Sequence, residues 1–294
     1  MANYSIKDLE NFTGVKAHTI RIWEKRYNVV EPKRTCTNIR YYDDEDLKRL
    51  LNISILNRHG YKISNIVNFT EDSMHEKILS LSQSYADVES QVESLVLAMI
   101  DMDEARFEKI FNTAVINLGF EDAIIKLMYP FFEKIGLLWQ IGSINPAQEH
   151  FVSNLLRQKL IVAIDGLVEN LNGTTKTFVL FLPEGEYHEL GLLFYHYLIK
   201  KYNQKVFYLG ETVPFEALND VSKARKVDYF VTSVITARAD DELQNYINRL
   251  SEEFPSSVIF MSGLQTINID FEVPGNVKLI ENASEFRLFL ENIS

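Results

Sequence analysis

The chain has 294 residues, 46% hydrophobic and 24% charged, an ordinary balance for a globular protein with two or three domains, each able to bury a core. One cysteine, Cys36, excludes an intramolecular disulfide and points to a reducing compartment. The start lacks an apolar signal core and no stretch approaches the ~18 apolar residues of a membrane span, so a cytoplasmic protein with no membrane partner is expected.

The net charge of −11 would argue against nucleic acid if it were evenly spread, but residues 1–70 hold 12 Lys+Arg against 8 Asp+Glu while the remaining 224 hold 18 against 33. A small basic module on an acidic body is the layout of a DNA-binding head joined to a sensor. Ser5, with Asp8 three residues on, caps a short helix that stops at Gly14. The stretch Lys16–Tyr27 then places Ile20 and Trp23 on one face and His18, Arg21 and Lys25 largely elsewhere. Two short helices across a glycine turn make a helix-turn-helix, whose second helix enters the major groove.

Residues Pro32–Tyr42 interleave cations, hydroxyls and aromatics, a mixture suited to phosphate contact and read as a wing. Asp43–Asp46 loads the first turn of a helix that carries Leu47, Leu50, Leu51 and Leu56 and stops at Gly60. Together Arg21, Trp23, Arg26, Tyr27, Pro32, Arg34, Arg40 and Tyr42 resemble the winged-helix head of the MerR family of transcription regulators, over about residues 3–70. Asn38 stands where many members have glycine, and asparagine also tolerates a left-handed turn. The resemblance implies a double-stranded operator DNA partner. The expected DNA-facing set is His18, Thr19, Arg21, Lys25, Arg26, Tyr27, Lys33, Arg34, Arg40 and Tyr42.

From Met74 to Asn172 apolar residues recur at three- and four-residue spacing, as in Val92, Leu95, Val96, Met99 and Ile100, then Ala123, Ile124, Leu127, Phe131, Phe132, Ile135 and Leu138. This predicts a bundle of four or five helices with no long heptad after the head, so assembly must come from elsewhere in the chain. Trp139 is followed after nine residues by Glu149-His150. By itself this is a core tryptophan and a polar helix start; in its place it is similar to the helical cap of light-sensing cobalamin regulators of the CarH/LitR type.

Apolar runs at 177–182, 205–209, 228–234, 257–261 and 276–280 alternate with amphipathic stretches and predict a five-stranded parallel sheet with right-handed crossovers. The loops at its carboxyl ends hold Glu186, His188, Gly191, the turn Gly210–Pro214 with Val213, Ser233 and Gly263, converging on one crevice. Their order resembles the cobalamin-binding signature Asp-x-His-x-x-Gly…Ser-x-Leu…Gly-Gly. That resemblance implies adenosylcobalamin, with His188 as the cobalt ligand, Glu186 as its hydrogen-bond partner in place of the family's aspartate, and Gly191, Ser233 and Gly263 beside the nucleotide tail. Ser262 replaces one glycine of the usual pair. Trp139, Glu149 and His150 would cover the opposite side, and His196 is given no role.

The expected protein is multidomain: an all-α winged helix-turn-helix head (1–75), an α-helical bundle cap (76–172) and an α/β Rossmann-like sheet domain (173–294). The expected function is a light-responsive regulator, a repressor rather than an enzyme, whose adenosylcobalamin controls a dimeric or tetrameric homo-oligomer. The alternatives are a regulator that uses its cobalamin fold for protein contacts alone, or a corrinoid-dependent methyl carrier.

Overall fold

A computed structural model of the chain describes residues 4–35, 38–58, 60–70, 73–74, 77–78, 88–140, 145–168, 175–266 and 272–294. They fall into two compact units, Met1–Val152 and Ser153–Ser294, divided within the helix Pro146–Asp165.

In the first unit, α1 (Ile6–Thr13) opens on a capping box. Ser5 Oγ accepts from the Asp8 amide at 3.2 Å, and the Asp8 carboxylate accepts from the Ser5 amide at 2.6 Å. The helix ends at Gly14, in the left-handed region at φ 66°. α2 (Ala17–Tyr27) buries Ile20 and Trp23, as the spacing required. The wing is a two-stranded antiparallel ribbon, β1 (Lys33–Arg34) against β2 (Arg40–Tyr41), and its turn runs through Asn38 at φ 66°. Asparagine therefore fills the left-handed position that glycine takes elsewhere. Cys36 and Thr37 of the wing lie outside the described residues. α3 (Asp44–Arg58) starts on three carboxylates, buries Leu47, Leu50 and Leu51, and is followed by the short α4 (Ile63–Ile66).

The helices that follow are Val88–Asp101, Glu104–Leu118, Phe120–Ala123 continued by a π turn (Ile124–Met128) into Tyr129–Gln140, and Pro146–Asp165. The π turn has a local cause. Pro130 has no amide to donate to the Lys126 carbonyl, and the Tyr129 amide reaches back five residues to Ile124. Val92, Leu95, Val96, Met99, Leu127, Phe131 and Ile135 are buried at the expected helical spacing. Among the described residues no helix is long and apolar enough to cross a membrane.

The second unit is a five-stranded parallel sheet in the order β4-β3-β5-β6-β7, with β3 Thr177–Pro183, β4 Lys205–Val213, β5 Tyr229–Ser233, β6 Val258–Ser262 and β7 Val277–Leu279. Phe178 to Leu182 of β3 are fully buried, the unbroken apolar pattern of a parallel strand covered on both faces. On one face Val179, Phe181, Phe230 and Ile259 pack against Phe215, Leu218, Leu243 and Ile247 of the helices Phe215–Ala224 and Asp240–Glu253. On the other, Phe260 meets Phe286 and Phe289 of the helix Ala283–Ile293, with ring centroids 5.3 and 4.7 Å apart. The chain passes from β3 to the edge strand β4 and returns to β5 on the far side of β3. The loops after β3 and β5 consequently leave the sheet in opposite directions and open a crevice at its carboxyl end.

Gly263, just past β6, adopts φ 110°, and a Cβ built there would lie 2.3 Å from the Val234 carbonyl oxygen and 2.8 Å from its nitrogen. The need for glycine at this position comes from the close approach of two loop backbones. Gly191 differs: a Cβ there meets nothing within 4 Å. Gly263→Ala is expected to cost about 2–4 kcal/mol through strain and forced separation of the loops. Gly191→Ala, inside a helix, is expected to be neutral or stabilising by up to about 1 kcal/mol in the ligand-free protein. Urea unfolding of both variants checks this; equal midpoints would contradict the assignment.

Candidate functional site

β3 ends at Pro183, and Gly185 at φ 77° turns the chain so that Glu186 falls back onto the end of the sheet. The Glu186 side chain is fully buried. One oxygen, Oε1, accepts from the amides of Tyr187 at 3.0 Å and His188 at 3.1 Å and from the Thr236 hydroxyl at 3.1 Å. The other, Oε2, accepts from the amides of Ile235 at 2.8 Å and Thr236 at 2.7 Å, in the loop after β5. His188 Nδ1 lies 2.5 Å from Oε1, and its side chain is half exposed. Burial, the largest influence, pushes the Glu186 carboxyl up. The bonds from His188 and from the Thr236, Ile235 and His188 amides outweigh it and hold the group well below the usual carboxylate range.

An ionised Glu186 engages His188 through Nδ1 and so orients the imidazole ring. Among the described residues no three His, Cys, Asp or Glu side chains gather to hold a bare ion. The site thus offers one oriented imidazole, His188, as a candidate metal donor. The open space at Gly191, three residues on, fits a bulky group approaching the same loop.

The loop is braced from several sides. The Thr212 amide donates to the Glu186 carbonyl at 3.3 Å, and Arg238 Nη2 donates to the Glu184 carbonyl at 2.5 Å. Glu189, beside His188, accepts from Arg157 Nε and from the Tyr208 hydroxyl at 2.9 Å. Thr236, Arg238, Arg157 and Tyr208 were not among the expected site residues. Sequence spacing carries no signal for them, since each acts across a loop or from another element.

The remaining expected residues are placed as follows. Gly210 has φ 83°, Val213 is buried at the end of β4, and Pro214 caps the next helix. Ser233 is buried at the end of β5, and Ser262 Oγ lies 3.4 Å from the Thr232 carbonyl. Gly263 serves the Val234 approach already described. Trp139 lies in the helix Tyr129–Gln140 with its side chain outside the described residues. Glu149 and His150 stand in the first turn of Pro146–Asp165, with the His150 ring nitrogen 3.6 Å from Glu149. Trp139, Glu149 and His150 belong to the first unit, and the sheet-edge residues to the second. His196 packs against the Tyr208 ring, with centroids 5.1 Å apart.

In the head, His18, Arg21, Lys25, Arg26, Lys33, Arg34 and Arg40 are exposed, while Thr19 and Tyr27 are half-buried. Lys33 pairs with Asp43, and Arg34 donates to Asn38 Oδ1 at 2.8 Å. Tyr42, expected on the DNA face, is instead fully buried with its hydroxyl bonded to Glu24 of α2, so it joins the wing to the second helix. Ile22 and Ile39, not singled out in the sequence, are exposed among the cations of α2 and the wing tip.

Residues 4–72 match the MerR HTH family regulatory protein description and residues 91–163 the B12 binding domain. The HTH-type transcriptional repressor CarH of Myxococcus xanthus is 27% identical over 260 residues, covering 86% of this chain and 85% of that protein. The repressor CarA of the same organism is 22% identical over 244 residues, covering 82% and 80%. The monomethylamine corrinoid protein of Methanosarcina barkeri shares the fold, with a TM-score of 0.57 at 17% identity over 70% of this chain and 100% of that one.

Burial, and secondarily Lys200, lowers the pKa of His196 to about 4. An unfolded histidine titrates near 6.5, so the unfolded chain takes up a proton that the packed imidazole refuses, and stability falls as pH drops from about 6.5 to about 4. Replacing His196 with Phe is expected to remove on the order of 1–2 kcal/mol of that fall. Urea midpoints at pH 7.5 and 4.5 measure it, and equal pH slopes for both proteins would contradict a buried neutral histidine.

Proposed function

We propose that this MerR-family transcriptional regulator with a B12-binding domain, similar to CarH and CarA, is a light-responsive repressor that holds adenosylcobalamin on His188. The observation that carries this reading is the Glu186–His188 pair: one oriented imidazole at the crevice of a parallel sheet, in a chain that begins with an exposed cationic helix-turn-helix. Its relatives over four-fifths of the chain are regulators rather than enzymes.

His188 would hold the cobalt through Nε2, with Glu186 bonded to the other ring nitrogen, an arrangement that strengthens an imidazole as a donor. Gly191 leaves room for close approach, and Gly210, Val213, Pro214, Ser233 and Gly263 shape the rest of the crevice. By resemblance to the helical caps of such regulators, Trp139, Glu149 and His150 would be the bundle's contacts with the same group. A large aromatic suits the adenosyl form over a smaller upper ligand. When bound, adenosylcobalamin supplies a cobalt–carbon bond that light breaks. In the dark the loaded chain assembles as a dimer or tetramer and multiplies weak heads on one operator. Light ends that assembly and relieves repression.

His188→Ala is expected to abolish the absorption signature of histidine ligation in the dark and to weaken cobalamin binding. Spectra of wild type and variant with adenosylcobalamin, before and after illumination, check the ligand. Light scattering on apo, dark-loaded and illuminated protein checks assembly; one mass in all three states would end the light-switch reading. For the head, Arg21→Ala and Arg40→Ala are each expected to weaken operator binding and flatten its salt dependence by about one counterion, with the cobalamin spectrum unchanged. A salt titration showing wild-type affinity and slope would move the DNA surface elsewhere.

A further inference from the structure

Glu93 lies midway along the helix Val88–Asp101 with none of its surface exposed. Two other helices reach its carboxylate. From the end of α3 come Arg58 Nη2 at 2.5 Å and Ser54 Oγ at 3.5 Å; from Tyr129–Gln140 comes Lys134 Nζ at 3.7 Å. Arg58 Nη1 also pairs with Glu89, one turn before Glu93, at 3.0 Å. Two cations and two carboxylates thus meet where the helix-turn-helix head adjoins the bundle. Burial is the largest influence on both partners, raising the Glu93 carboxyl and lowering the Lys134 amine.

Glu93 is the buried member, while Arg58 and Glu89 reach solvent and Lys134 is half-buried. Pairing a buried carboxylate adds little net stability over an apolar residue of the same volume, so packing alone does not call for it. What it does supply is geometry. The full set of contacts forms only when three helices hold one register, and losing Glu93 removes the carboxylate that Arg58 and Lys134 share. The first turn of α3 is in turn tied to the rest of the head: the Tyr4 hydroxyl donates to Asp44 at 2.8 Å, and Lys33 of β1 pairs with Asp43. Lys134 also shares its helix with Trp139, five residues on.

We propose that the Arg58–Glu93–Lys134 network is the joint that fixes the DNA-binding head on the helical bundle and transmits movement of the helix Tyr129–Gln140 to α3. The fixed register stands on the geometry alone; transmission of a cofactor signal rests on the cobalamin reading.

Two measurements on the full chain separate these parts. In the cofactor-free protein, Glu93→Gln is expected to speed amide hydrogen exchange in α3 about ten-fold or more while β3 is unchanged. Wild-type exchange in α3 would overturn the joint. The second variant combines Arg58→Met, Glu93→Leu and Lys134→Met, which restores an apolar contact and is expected to unfold at or above the wild-type temperature. With adenosylcobalamin added, its His188 spectrum is expected to match wild type, while the ratio of operator affinities with and without cobalamin falls toward one. A ratio equal to wild type would show that packing alone transmits the signal and would overturn the network's role. If wild type itself shows no histidine-ligated spectrum, the cobalamin reading fails, and the joint is decided by the exchange measurement.

Discussion

The sheet-edge site depends on one buried carboxylate. Glu186 has no solvent contact, and an ionised carboxylate is tolerated there because the His188 ring, amides from two loops and the Thr236 hydroxyl point at it. Those donors do more than stabilise a charge. They tie the loop after β3 to the loop after β5 across the point where the chain reverses direction, and they fix where His188 stands. One Glu186 oxygen reaches the Ile235 and Thr236 amides while the other stays at the His188 ring.

The head uses its aromatic and acidic residues to hold its cations outward. Tyr4 bridges to Tyr42 through backbone hydrogen bonds and to Asp44 through its hydroxyl, and Tyr42 in turn bonds Glu24 on the second helix. Wing, first helix and second helix are therefore braced from beneath by buried tyrosines. The exposed arginines above them project from a surface whose support is internal.

Much of this was legible in the sequence. The five strands were found within a few residues of their ends because a parallel strand covered on both faces must be an apolar run, and β3 from Phe178 to Leu182 has no exposed position. β4 was read short: its last residues, through Gly210 and Thr212 in left-handed conformations, are polar and pair irregularly with β3. The head was legible through its caps, with Gly14 and Asn38 where left-handed turns are needed. Tyr42 was misplaced because an aromatic among cations reads equally well as a DNA contact or a core residue, and only its partner Glu24 decides. Thr236, Arg157 and Tyr208 were invisible for a related reason. Their partners lie 19 to 50 residues away in sequence, and no local period records such pairings. Glu93 is the sharpest case, since a glutamate on a helix is ordinarily read as a solvated face.

Glu93 and Glu186 are both fully buried, yet they behave oppositely, and the difference lies in what holds them. Against burial, Glu186 is held by the His188 ring and by backbone amides of Thr236, Ile235 and His188, which together favour its charged form strongly enough to prevail. Glu93 is held by side chains, Arg58 and Lys134, each on a different helix, and there burial prevails. A carboxylate clamped by two loop backbones moves only if those loops part. A carboxylate balanced by long side chains on separate helices responds when one helix shifts, because each cation can follow its own helix at the expense of the shared contact. The same residue type therefore takes opposite charge preferences at the sheet edge and in the bundle.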